Sequence, residues 1–365
     1  MRLRLFSLFL ICCLFCLFFN SCSGLRKSNA TENDKLIIVA ENTNQWTGVA
    51  VSFEGRMFVN FPRWSDDIPM SVGELDENGN VTPYPDEVWN AWDDSSDPEK
   101  RFVCVQSVYV DKENFLWILD PANPKFQGVV ERGPKLVKVD LETDEIEKTY
   151  LFRETIAPEN SYLNDVRIDA KNNYAYITDS GTGALIVVNL ETGEMRRVLE
   201  NHESTKSEDV VLNIGGKDWI RSDGSKPRVH ADGVAFDETS DYIYYQALTG
   251  KSLYRIPGAI LRDECLLERQ IVEHVEYVTE SGASDGIICG PDGSVYLSSL
   301  EYDAVRRYTP EGKIEIVVQD DRLKWPDSFS FGPEGWLYVT TSQIHLGSNP
   351  QSPYRIMKVK PLCTK

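Results

Sequence analysis

The feature that most constrains the fold is a repeat. From Trp46 to near the C-terminus the chain runs six times through one pattern: a polar or small residue, a short strand, a turn of Asp, Asn or Gly, and a second strand rich in Tyr, Leu and Val. A third strand usually follows, then a turn and a fourth. The clearest copy is NDVRIDAKNNYAYITDSGTGALIVVNLETGEMRRVLEN, Asn164–Asn201. Its strands are joined at Lys171-Asn172-Asn173, Gly181-Thr182-Gly183 and Glu191-Thr192-Gly193, which carry the residues of tight hairpins. The other copies begin at Trp46, Val105, Ala231, Ser284 and Pro326 and differ mainly in their loops. Such a unit cannot bury its apolar faces alone, so copies must stack on one another. Six four-stranded copies predict an all-β chain, a six-bladed β-propeller over residues 36–361. The last copy stops after its third strand, Tyr354–Val359, and the strand LIIVAEN, Leu36–Asn42, has no partner of its own. The N-terminal strand is therefore expected to close the last blade and remove its exposed edge. One unit departs from the pattern. After LYRIPG, the apolar residues Ile260, Leu261, Leu266, Leu267, Ile271, Val272 and Val275 suit a helix, expected to replace or cover the outer strand.

The repeat also places carboxylates. In a propeller the first strand of each blade lines the central channel, and the residue at its mouth faces a shared well. Around the ring those residues are Thr47, Gln106 or Ser107, Asn164 with Asp165, Asp232, Asp285 and Asp327. Four carboxylates from four blades would repel unless a cation, a proton or a cationic ligand neutralises them. Asn164, Asp165, Asp232, Asp285 and Asp327 are the candidate ligand-binding residues. Asn164, Asp232 and Asp285 are the candidate metal ligands, and calcium or magnesium is the hard cation that oxygen donors would take. The competing reading has each Asp capping its own turn, with Gly233 and Gly286 serving the same turns.

Other chemistry finds little support. No GxGxxG, phosphate-binding loop or GxSxG pattern occurs, and the four histidines form no HxH or HExxH pair. His230, two residues before Asp232, is either a base at the well or a loop histidine with a structural hydrogen bond. Cys104, Cys265, Cys289 and Cys363 lack CxxC spacing, so a zinc site is not expected, and at most one pair is expected to be bonded. The segment DEVWNAWDDSSDPEKRF, Asp86–Phe102, reads as an insertion at the rim of one face or as a surface loop packed by Trp89 and Trp92.

The N-terminus reads as an address. Arg2 and Arg4 precede the apolar run LFSLFLICCLFCLFF and then NSCSG, the pattern of an export signal over residues 1–21. Cys22 stands where a bacterial lipoprotein carries its lipid, although Phe19 and Asn20 depart from that motif, and ordinary cleavage and an uncleaved anchor are the alternative readings. Residues 22–35 are polar and aperiodic and read as a tether. Losing Arg2 and Arg4 with the signal takes the formal charge from -19 to -21. So acidic a surface argues against nucleic acid or anionic lipid as partners, apart from an N-terminal lipid anchor. A small-molecule ligand, a monomer and an exported location, secreted or periplasmic, are expected.

The segments QSVYVDKENFLWILD, PKLVKVDLET, YLNDVRID, AYITDSGTGALIVVNLETGEMRRVL, HADGVAF, ASDGIIC and WPDSFSFG stand in an order that resembles the major royal jelly and Yellow protein family. With the lipoprotein-like signal, the resemblance is to a bacterial member. It implies a secreted six-bladed propeller, with small amines bound by some members at one end of the channel and dopachrome conversion linked to insect Yellow relatives. It implies no shared set of catalytic residues. The architecture is also similar to gluconolactonases and senescence-marker proteins, which hold a divalent metal in the channel and place a Glu at the mouth of the first blade. Here that mouth reads NQWTGVAV, with no acid. Three readings follow: a binding protein for a cationic or metal-bridged ligand, a divalent-metal-dependent lactonase or esterase, and a non-catalytic interaction scaffold. The missing Glu favours the first over the second, and the four acids argue against the third.

Overall fold

A computed structural model describes residues 35–361 apart from Ser348 and Ser352. The export signal, Cys22 and Cys363 lie outside the described residues. The chain forms six four-stranded antiparallel sheets. In chain order the blades span Val49–Pro83, Ser107–Leu151, Leu163–Val198, Ala231–Glu280, Ile287–Gln319 and Pro326–Val359. Each innermost strand touches the innermost strand of the next blade, and the sixth returns to the first. The result is the expected six-bladed propeller with a central channel. Leu36–Asn42 pairs antiparallel with Tyr354–Val359, with Leu36 opposite Val359 and Asn42 opposite Tyr354, so the N-terminal strand closes the ring.

The blades hold together through their faces. Leu119, Leu136 and Phe152 of blade 2 pack on Leu163, Val166 and Ile177 of blade 3 in one buried cluster. Leu36 and Met357 of blade 6 likewise pack on Val305 and Val317 of blade 5. Alternation along each strand sends one set of side chains to each neighbour. The hairpins turn where the sequence permits a left-handed backbone, as at Asn173 (φ 59°) and Gly183 (φ 81°).

The irregular fourth unit differs from expectation. Its outer strand is present: Glu276–Glu280 pairs with Ser252–Pro257. Two short helices, Gly258–Arg262 and Glu268–Val272, stand between those strands, so the helical pattern inserts into the blade and replaces nothing. They bury Gly258, Leu261 and Ile271, and the two larger side chains pack against Tyr176, Leu185 and Val187 of blade 3. The pattern breaks over residues 263–267, where Leu267 faces solvent. A second insertion, residues 199–230, carries the hairpin Asn213–Ile214 with Lys217–Asp218. Its Trp219 meets Trp325 edge-on at 4.9 Å.

Candidate functional site: a carboxyl cluster at one mouth of the channel

The repeated acidic dipeptides share a backbone irregularity. Pairing slips between Leu163 and Val166, between Ala231 and Val234, and between Pro326 and Phe329. Each slip spans an Asp with an amide or small neighbour: Asn164-Asp165, Asp232-Gly233 and Asp327-Ser328. Bulges of this kind re-aim side chains. Asp285-Gly286 stands just before its strand, Ile287–Cys289.

The glycines are not turn residues, contrary to the capping reading. Neither Gly233 nor Gly286 has a positive φ. A Cβ on Gly233 would stand 2.4 Å from the carbonyl oxygen of Asp285, and one on Gly286 2.1 Å from that of Asp327. The next blade's backbone passes so close that only glycine fits; Gly286 N–H donates to Asp327 O at 2.9 Å. The carboxylates do not cap their own turns either. Their hydrogen bonds go mainly to side chains of neighbouring residues and blades.

Those bonds form one chain across the mouth. Trp64 Nε1 donates to Tyr162 Oη at 2.6 Å, and Tyr162 Oη donates to Gln106 Oε1 at 2.9 Å. Gln106 Nε2 donates to Asn164 Oδ1 at 3.4 Å, and Asn164 Nδ2 to Asp232 Oδ2 at 2.8 Å. Asp232 and Asp285 are within hydrogen-bonding reach of each other. Trp325 Nε1 closes the chain on Asp285 Oδ2 at 2.6 Å. Trp325 is fully buried with φ 56°, an uncommon backbone for so large a residue and a sign that the surrounding structure holds the indole where Asp285 needs it.

Charge in this chain is expensive. Asp232, Asp285 and Asp327 are 1%, 6% and 3% exposed. Burial, reinforced by the Asp285 and Asp165 charges, pushes the Asp232 carboxyl well above the usual carboxylate range. Burial raises Asp285 to about 6, held down in part by the Trp325 N–H and by Asp232. Burial and the Asp285 charge raise Asp327 as well. Two carboxyls in contact require a proton between them, and the directions place it on Asp232. Asp327 accepts from Ser328 Oγ at 3.1 Å and from the Ser342 hydroxyl, and Asp232 faces Asp285 across the shared proton.

Asp165 is turned elsewhere. It accepts from Ser107 Oγ at 3.2 Å and lies 3.8 Å from Arg167 Nη2, with burial raising its pKa against that charge. His230 accepts the Ser207 amide N–H at Nδ1, 2.9 Å, and burial lowers it to about 4, so it is the structural loop histidine. Cys104, Cys265 and Cys289 are free thiols. Among the described residues no three His, Cys, Asp or Glu side chains are placed to hold a metal ion. Sequence reasoning found the acids but missed Trp325, Tyr162 and Trp64. Their only signal was proximity: Trp325 precedes Pro326-Asp327, and Tyr162 stands two residues before Asn164.

The fold and the site define a closed six-bladed propeller with buried acids where its inner strands begin. Within that class, residues 103–360 match the family described as Major royal jelly protein, and the chain belongs to that family. It is 22% identical over 334 residues to a dopaminechrome tautomerase of Drosophila melanogaster, covering 80% of this chain and 69% of that one. It is 24% identical over 235 residues to Protein yellow of Drosophila erecta, covering 59% of this chain and 42% of that protein. Among solved structures, a gluconolactonase of Xanthomonas campestris superposes with a TM-score of 0.55 at 14% identity, covering 89% of each chain. The calcium-binding protein regucalcin of Agrobacterium tumefaciens gives 0.53 at 15%, covering 89% of this chain and 95% of that one. At such identities these two likenesses concern the fold alone.

Proposed function

We propose that this chain is an exported propeller that binds a small cationic ligand, of the aromatic amine class, at the Asp232–Asp285–Asp327 mouth. One observation carries the reading: three carboxyls from three blades, Asp232, Asp285 and Asp327, are buried together, and no cationic side chain among the described residues pairs with them. An ammonium group supplies the missing charge together with N–H donors. At the same mouth Trp64 and Phe126 stack at 5.6 Å and Phe126 packs on Tyr162 at 5.0 Å, with Phe126 largely exposed, which offers an aromatic face for a flat ring. Thermal unfolding with added tyramine, calcium or magnesium tests it. Tyramine should stabilise the wild type and leave the Asp232→Asn, Asp285→Asn double variant unmoved. Calcium or magnesium outperforming tyramine would replace the amine with a metal-bridged ligand. No stabilisation by any of the three would leave the scaffold reading. Export is tested separately: the Cys22→Ser variant should lose membrane partitioning if Cys22 carries lipid.

A second reading is favoured by the Asp232–Asp285 contact. A protonated carboxyl beside one titrating near 6 is an acid next to a base. A tautomerisation moves one proton off a carbon and returns one to another atom, with no redox partner. Two relatives are named for aminochrome tautomerisation. Asp285 would take the proton and Asp232 would give one. Decay of dopaminechrome absorbance, compared between the wild type and Asp285→Asn, tests this. The lactonase reading is weaker, because Asn164 turns its NH2 group, not its oxygen, to Asp232. The trio Asn164, Asp232 and Asp285 does not fit a metal in that arrangement, and no hydrolytic step is derived through one.

A further inference from the structure

The inner strands run from the acid cluster to the opposite mouth. There Val51, Tyr109, Arg167, Phe236, Ile288 and Ser330, one residue from each blade, surround a cavity of about 470 Å³. That volume suits a small organic molecule. The rings of Tyr109, Phe236 and Phe331 supply apolar wall.

The charges at this mouth are unequal in how fully they are engaged. Asp111 accepts Trp117 Nε1 at 2.6 Å and the amide N–H groups of Glu113 and Phe115 at 2.9 and 3.0 Å. Asp237 accepts the Thr239 amide N–H at 3.0 Å and the Ser240 hydroxyl. Lys112 pairs with Glu238. Arg167 differs. It is 5% exposed and lines the cavity. Nη1 donates to Val166 O at 2.7 Å and Nη2 to Ile287 O at 2.6 Å. Its Nε is buried with no acceptor among the described residues. Asp165 Oδ2, at 3.8 Å, lies beyond hydrogen-bonding distance. A guanidinium carries five N–H donors, so most of this one's capacity is unused. Asp165 offsets part of the charge across that gap, but N–H donors left without acceptors in a buried site are costly, and a ligand anion would complete them. The Cys289 thiol beside Arg167 is not that anion, since burial keeps it protonated.

We infer that this far mouth is a second binding site, for a small aromatic carboxylate whose carboxylate meets Arg167 and whose ring lies among Tyr109, Phe236 and Phe331. The Tyr109 ring already lies 5.1 Å from the guanidinium carbon. The site is independent of the cation-binding mouth and takes a ligand of opposite charge.

Calorimetric titration with benzoate tests it, with benzyl alcohol and benzylamine as neutral and cationic matches. Benzoate should bind saturably to the wild type and the amine should not compete with it. Arg167→Gln should weaken benzoate at least about tenfold, the scale of one charge-assisted contact. Ala170→Phe, which fills the cavity from its rim and leaves Arg167 in place, should do the same and decides the matter if Arg167→Gln does not fold. The Asp232→Asn, Asp285→Asn double variant should bind benzoate as the wild type does, which separates this site from the cationic one. No saturable binding, affinity equal to that for benzyl alcohol, or retention by Ala170→Phe would overturn the inference.

Discussion

Replacing Asp285 with Asn removes one buried charge and keeps the side chain's shape. The amide oxygen can still accept the Trp325 N–H, and the amide N–H can donate to Asp232. Asp285 moves from an ordinary value of 3.8 to about 6 on folding. Two pH units at about 1.4 kcal/mol each make the charged form about 3 kcal/mol less favourable in the folded state. The sign follows from linkage. A raised folded pKa contributes stability that is present in full below about 3.8 and is lost as pH rises through about 6. The variant should therefore match the wild type or fall slightly below it near pH 4, and gain as pH rises. By about pH 7.5 the gain should approach ~3 kcal/mol, an upper limit because Asp232 shares the proton. Urea unfolding followed by tryptophan fluorescence, with a chelator present, reads the difference at each pH. A cationic ligand should shrink the gain by neutralising the wild-type charge. A variant destabilised by the same amount at every pH would refute the reasoning, because it would mean that the carboxylate is satisfied as it stands.

Further predictions concern the frame. Lys135 and Asp120 form a fully buried ion pair at 2.9 Å, and Lys135 also donates to Pro98 O and Gly133 O. Lys135→Met should cost about 3–5 kcal/mol in urea unfolding, and a loss under about 1 would show that the pair is dispensable. Gly286→Ala puts a Cβ 2.1 Å from Asp327 O and should destabilise by about 1–3 kcal/mol, read as a lower melting temperature; an unchanged value would mean that the blades slide apart freely. Deleting residues 36–42 bares the edge of Tyr354–Val359 and should yield oligomers by light scattering, whereas a stable monomer would show that closure is not needed.

The blade pattern was legible because each hairpin is a local event. Alternation marks the strands, and Asn173, Gly183 and Gly193 mark turns whose backbone needs a positive φ. Ring closure was legible for a related reason: an unpartnered strand at one end matched a missing one at the other. Within the irregular unit, the helical period in residues 260–275 was visible, but not that it breaks into two helices before an outer strand. That depends on the gap between blades 3 and 4 that Leu261 and Ile271 fill.

The sequence by itself determined that acids would stand at the mouths of successive inner strands, since a repeated dipeptide at a repeated position must recur around the ring. It could not say what those acids touch. Gly233 and Gly286 look like turn residues in one dimension, yet they are required by the backbone of the following blade. Asn164 and Asp165 are adjacent in sequence, but a bulge sends one to Asp232 and the other toward Ser107 and Arg167. Trp325, Tyr162 and Trp64 come from different blades and meet the cluster only when the ring closes. Protonation is decided there as well, because a carboxyl's pKa depends on the water it loses and the charges that surround it. Both are properties of the assembled channel and not of any segment of the chain.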